Sequence, residues 1–183
     1  MQKIRLLVFV CCFSLIAFSQ ETMRNTASIG AGGGFPSGGW RTDGFSNSPS
    51  FSASYEFRIF KYLAAEGAVV NMLPNVNEGG EFVDLIARER VTLLSFGARG
   101  ILPLRQGRIE LFAGAGAAHL FTSDFYLSSF DAPSWIYQVN TGGRVALDHR
   151  HHFWVGPTVR FYRDGGRPTE EWVSLTGDFG VRF

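Results

Sequence analysis

Nine ionisable residues of this chain stand between apolar or small neighbours in alternating runs: Glu56, Arg58, Glu66, Arg99, Glu110, Arg144, Arg160, Asp178 and Arg182. Extended backbone turns residues at even spacing to one side, so four carboxylates and five guanidiniums can share a face. Such groups can neutralise one another through charge-assisted hydrogen bonds, forming a rigid plug. They can also exchange partners, for example Arg144 between Glu66 and Glu110, and so gate a thin water path. Left unpaired in a narrow interior they would be very costly. The spacing requires pairing without choosing the pairs.

Other groupings offer different chemistry. Asp148-His149-Arg150-His151-His152 gathers imidazoles and a carboxylate of the kind that hold zinc or copper, but the central arginine favours a hydrophilic turn. His119 and Ser123 are a base and a nucleophile, yet four positions along a strand span about 13 Å, too far for the hydrogen bond that activates a serine. Gly114-Ala115-Gly116 is similar to the start of a dinucleotide-binding turn, which needs a helix after it; strand character instead continues through Leu120 and Phe121. No catalytic residue, cofactor or metal is expected.

The elements that must position these residues are alternating runs of apolar and polar side chains, the mark of strands with two unlike faces. Eight are expected: Asn25 to Phe35, Ser50 to Phe60, Leu63 to Met72, Arg90 to Leu102, Arg108 to Phe121, Trp135 to Leu147, Phe153 to Tyr162 and Trp172 to Phe183. Short turns lie around Lys61, at Pro103 to Gly107 and at Asp148 to His152. Longer Gly-, Ser-, Asn-, Asp- and Pro-rich loops cover Pro36 to Pro49, Leu73 to Glu89, Thr122 to Ser134 and Arg163 to Glu170. Long and short alternate strictly, which an up-and-down meander produces, with both termini on the short-turn rim.

Which face meets water decides between two architectures. Phe51, Ala53, Tyr55, Phe57 and Ile59 alternate with Ser52, Ser54, Glu56 and Arg58; Phe153, Val155, Pro157, Val159 and Phe161 alternate with Trp154, Gly156, Thr158, Arg160 and Tyr162. With the apolar face inward, the chain would be a soluble lipocalin-like barrel around a small hydrophobic ligand. Three features favour the apolar face outward, in lipid. Lys61 is the only lysine after residue 3, whereas soluble β-proteins blunt their surfaces with lysine. Tyr55, Phe60, Tyr62, Trp135, Tyr137, Phe153, Phe161, Trp172 and Phe183 sit at strand ends, as interfacial aromatic girdles do. Small residues such as Gly30, Gly32 and Gly34 mark the polar face, which suits close quarters.

The N-terminus sets the compartment. Lys3 and Arg5 precede an apolar stretch from Leu6 to Phe18, with Ala17 and Ser19 before Gln20, the pattern of a secretory signal peptide over residues 1–19. The stretch falls short of the roughly 20 residues of a membrane-spanning helix. Cys11 and Cys12 fall within it, so residues 20–183 form one domain without cysteine. A formal net charge of +1 indicates no nucleic-acid partner.

With these features the chain resembles the eight-stranded outer-membrane β-barrels of the OmpA, OmpX and opacity-protein type. Its closing run, Gly177-Asp178-Phe179-Gly180-Val181-Arg182-Phe183, is similar to the C-terminal signal read by the family's barrel-assembly machinery, with Phe179, Val181 and Phe183 carrying it. The run departs from the pattern in the place of its glycine and in Val181, where an aromatic is usual. The resemblance implies an all-β transmembrane barrel in the outer membrane of a Gram-negative bacterium, monomeric, non-enzymatic, and surrounded by outer-membrane lipids and lipopolysaccharide. A structural and interaction role follows, with Trp40 and Phe45 of the first long loop as contacts for a surface ligand; a small gated channel is the alternative.

Overall fold

Alternating sequence with closed ends of hydrogen bonding is the one strand arrangement lipid tolerates, because no backbone edge is left unpaired. The computed structural model describes residues 24–38, 46–77, 86–88, 90–122, 135–164 and 170–183. The signal peptide, Trp40, Phe45 and Ser123 lie outside the described residues. The strands are β1 (Asn25–Gly38), β2 (Ser48–Phe60), β3 (Leu63–Met72), β4 (Asn75–Asn77), β5 (Ile86–Arg88), β6 (Val91–Leu104), β7 (Ile109–Thr122), β8 (Trp135–Ala146), β9 (Phe153–Asp164) and β10 (Glu170–Arg182). Eight of them close an antiparallel barrel in the order β1-β10-β9-β8-β7-β6-β3-β2. Closure is by β1 on β10, in register from Thr26 opposite Arg182 to Gly38 opposite Glu170. At the short-turn rim Asn25 and Phe183 exchange backbone hydrogen bonds of 3.0 and 2.9 Å, so both strand ends meet there.

Several expectations are corrected. Leu73 to Glu89 is not all loop: Asn75, Val76 and Asn77 pair with Arg88, Ala87 and Ile86 as a two-stranded ribbon, continuing the β3–β6 hairpin beyond the barrel rim. Pro36 to Gly38 and Ser48 to Pro49 belong to strands, and β6 runs on to Leu104, so Pro103 pairs with Glu110. Arg90, Arg108 and Leu147 fall outside the strands. A register shift between Arg58 and Phe60 marks a bulge, which breaks the alternation at Ile59.

The apolar face is outward. Ile29 and Tyr137 are 67% exposed, and Phe51, Phe96, Val139, Leu175 and Phe179 stand out around the wall. That belt contradicts the lipocalin-like arrangement, which would bury these same positions. Tyr55, Phe60, Tyr62, Trp135, Tyr137, Phe153 and Phe183 are exposed near the rims. Of the other expected girdle aromatics, Phe161 is half-buried, and Trp172 is 1% exposed and points into the barrel. Its parity explains this, since it shares a face with the buried Ser174, Thr176 and Arg182.

The turn of Asp148 to His152 is held by its own side chains. Asp148 Oδ1 accepts the backbone N–H of Phe153 at 2.9 Å, and Oδ2 lies 3.3 Å from Nδ1 of His152. The N–H of Phe153 aimed at the carboxylate holds Asp148 below its usual range. Trp154 Nε1 donates to the carbonyl of His151 at 2.7 Å. The Asp148 carboxylate and the His152 imidazole are thus used to shape a turn.

Candidate functional site: the filled interior of the barrel

Strand parity turns the nine ionisable residues named from the sequence inward, and the structure links all nine in one chain of ion pairs. From the turn rim it runs Arg182, Glu110, Arg144, Glu56, Arg99, Glu66, Arg160 and Asp178, with Arg58 attached at Glu110. Glu110 gathers three guanidiniums. Arg58 Nη2 lies 3.0 Å from both carboxylate oxygens, Arg144 Nε donates to Oε2 at 2.8 Å, and Arg182 Nη2 donates at 2.7 Å. Glu110 and Arg144 are direct cross-strand partners between β7 and β8.

Glu56 and Glu66 are also direct partners, between β2 and β3. Like charges so placed repel, and Arg99 resolves this by reaching both. Its Nη1 donates to Glu56 at 3.1 Å, its Nη2 to Glu66, and its Nε to Asn140 at 3.2 Å. Asn140 in turn donates to Glu66 at 3.0 Å. Arg160 Nη2 donates to Glu66 at 3.0 Å, and its Nη1 stands 4.0 Å from Asp178. Asp178 accepts from Thr158 at 2.7 Å and Ser52 at 3.3 Å. Arg160 Nε has no hydrogen-bond partner among the described residues. Arg144 pairs with Glu110 and Glu56, while Glu66 is taken by Arg99 and Arg160; the Arg144–Glu66 exchange considered for a gate is not among these contacts.

Two aromatic rings occupy the same half. Arg99 lies 4.1 Å over the Phe112 ring and Arg182 4.2 Å over that of Trp154, close enough for cation–π attraction. Phe112 was not singled out from the sequence, although it shares parity with Glu110. A cavity of about 20 Å³, bordered by Thr26, Ser28, Arg99, Arg144, Thr158 and Asp178, has room for about one water. The close packing depends on absent side chains. A Cβ on Gly30 would strike the Asp178 carboxylate and Ser52 Oγ, and one on Gly142 would strike the Phe112 ring.

The loop-side half of the interior is different in kind. Val70, Met72, Val91, Leu93, Ala118, Leu120, Ile136, Tyr162 and Trp172 form one buried apolar cluster. Register builds it: Val70 is opposite Leu93, Leu93 opposite Leu120, Ala118 opposite Ile136, and Tyr162 opposite Trp172. Among the described residues the charges of the polar face expected from sequence are therefore confined to the turn half and middle of the barrel, while buried Ser48 and Ser50 carry hydroxyls into the loop half. Hydroxyls persist as pairs at the border, with Ser50 and Ser174 2.7 Å apart.

Phe179, Val181 and Phe183 face outward on the final strand and its end. His119 lies on the outer face of β7, its ring centroid 4.5 Å from Phe121 and 5.0 Å from Trp135. It packs there as part of the aromatic rim.

No protein-family model matches the chain, and no curated protein matches it. Solved structures do match in fold. Neisserial surface protein A superposes with a TM-score of 0.60 at 12% identity, over 87% of this chain and 96% of that one. OprG from Pseudomonas aeruginosa gives 0.58 at 12% identity, over 88% and 97%. Ail, the attachment invasion locus protein of Yersinia pestis, gives 0.55 at 12% identity, over 88% and 99%; it has also been solved with the heparin analogue sucrose octasulfate. The chain thus has the fold of the eight-stranded transmembrane barrels.

Proposed function

We propose that this protein is an integral outer-membrane barrel of a Gram-negative bacterium whose interior is a permanent plug and whose work is done at its surface. The observation that carries this reading is the filling of the lumen by two materials in series, the ion-pair chain from Arg182 to Asp178 and the apolar cluster around Leu93 and Trp172. An eight-stranded barrel is just wide enough for side chains to fill. Both charge pairing and apolar packing oppose a standing water path, which disfavours the small channel and the gate.

The outward apolar belt and the fold shared with OprG, Ail and Neisserial surface protein A support the membrane location. The surface role draws on the neighbours' printed descriptions, a surface protein and an attachment protein. The long loops, Trp40 and Phe45 included, are the segments available for such contact, and lipopolysaccharide and outer-membrane lipids are the surroundings. Phe179, Val181 and Phe183 serve as the assembly signal in this reading, residues 1–19 as the export signal, and the barrel works as a monomer without enzymatic activity.

The test is fractionation of the expressed full-length chain followed by electrophoresis of boiled and unboiled samples. A closed barrel in the membrane fraction migrates faster before boiling. A soluble protein with one mobility would overturn the reading.

A further inference from the structure

The short-turn rim carries a charge pattern that the plug does not use. Arg24 precedes β1, Lys61 lies in the β2–β3 turn, Arg105 and Arg108 in the β6–β7 turn, and Arg150 in the β8–β9 turn. Lys61, Arg105, Arg108 and Arg150 are exposed and Arg24 is half-buried. None forms an ion pair with another described residue. The acidic side chain among them, Asp148, is engaged by Phe153 and His152. The long connections have the reverse balance in sequence, the stretch 78–90 carrying Glu78, Glu81, Asp84 and Glu89 against Arg88 and Arg90.

Barrel order spreads the cations. The start of β1, the β8–β9 turn, the β6–β7 turn and the β2–β3 turn follow one another around the circumference, so the charges form a ring and not a patch. Each site borders the apolar belt: Tyr62 and Phe60 beside Lys61, Leu104 beside Arg105, Phe153 beyond Arg150, and Phe183 against Asn25 next to Arg24. The ring therefore follows the outer, lipid-facing edge of the barrel and not its mouth. The headgroups of the surrounding leaflet meet all of it.

We infer that Arg24, Lys61, Arg105, Arg108 and Arg150 bind the phosphates of anionic phospholipids in the leaflet facing the short turns. The inference rests on the membrane reading above. Basic residues at an anionic surface contribute about 1 kcal/mol each, so an anionic lipid is expected to displace a zwitterionic one at the barrel about fivefold more readily.

The experiment uses the full chain refolded into phosphatidylcholine vesicles, with spin-labelled phosphatidylglycerol or spin-labelled phosphatidylcholine as probe. The fraction of immobilised label measures relative association. The expected result is a preference of about fivefold for phosphatidylglycerol. It should fall to near unity in about 1 M salt, where charges are screened beyond about 3 Å, and in the combined variant Lys61→Gln, Arg105→Gln, Arg108→Gln, Arg150→Gln. Equal association of the two labels, or a preference that survives salt, overturns the inference, and the salt arm decides even where the variant does not refold. Equal lipid association together with salt-sensitive retention on an acidic polymer overturns it in favour of a macromolecular partner. No immobilised label of either kind, with no heat-dependent mobility, would instead overturn the membrane reading itself.

Discussion

The two halves of the barrel interior solve the same filling problem by opposite means. On the turn side, five guanidiniums and four carboxylates are joined in one network; on the loop side, nine mostly apolar residues pack together. The difference lies in how each half fails. Removing one carboxylate from the network weakens the pairing of several buried cations at once, whereas removing one side chain from the apolar cluster leaves a hole whose walls can relax. Charge is therefore the more demanding filler, and the apolar half the more forgiving one.

The largest effect expected to expose this contrast is Glu110→Gln. It leaves Arg182 without a carboxylate partner among the described residues and takes one of two from Arg58 and Arg144, which keep Glu56. Breaking buried pairs by removing one partner costs about 3–5 kcal/mol, read as a lower urea midpoint for loss of the fast-migrating folded band. A loss as small as that of an exposed substitution would show that the network is wet. Next comes Leu93→Ala in the apolar half, with an expected loss of about 3 kcal/mol. Combining it with Glu110→Gln should give additive losses, because the two halves share no network; strong coupling would show that they are one unit.

Gly30→Ala sharpens the comparison from the packing side. The new methyl meets Asp178 and Ser52, and overpacking of this kind costs about 1–3 kcal/mol. The smallest effect belongs to the turn outside both halves. Asp148 is held below its usual range by the Phe153 N–H, so its contribution is present above the unfolded value and is lost as pH falls through the lower folded one. Asp148→Asn should lower the midpoint slightly near neutrality, where the contribution is present, and the difference from the unmodified chain should vanish as pH falls below about 4. An unchanged acid profile would show that the carboxylate does not hold the turn.

Much of this architecture is readable from period-two alternation. Parity puts Glu56, Arg99, Glu110, Arg144 and Arg160 on one face, and alternating loop lengths order the strands around the barrel. What parity does not carry is height. Val70 and Leu93 lie where both faces of the strand are apolar, as in Val69-Val70 and Leu93-Leu94, and beside Met72 and Val91 the outward neighbours Asn71 and Thr92 are polar, so the pattern there does not mark the apolar side as outward. The choice of partners depends on register, which brings Glu56 opposite Glu66 and makes Arg99 their bridge. Trp172 was readable and was misplaced: its two-residue spacing from Ser174, Thr176 and Asp178 put it inside, but its position at a strand end suggested a girdle. The β4–β5 ribbon had no such signal, since three-residue strands are too short for a period to show.

The most direct test of the two-part plug is planar-bilayer recording from protein whose folded state has been verified by heat-dependent mobility. The account predicts a silent membrane at voltages of either sign. Reproducible unitary current steps from the unmodified chain would contradict it, because ions would then be crossing both the charged half and the apolar half.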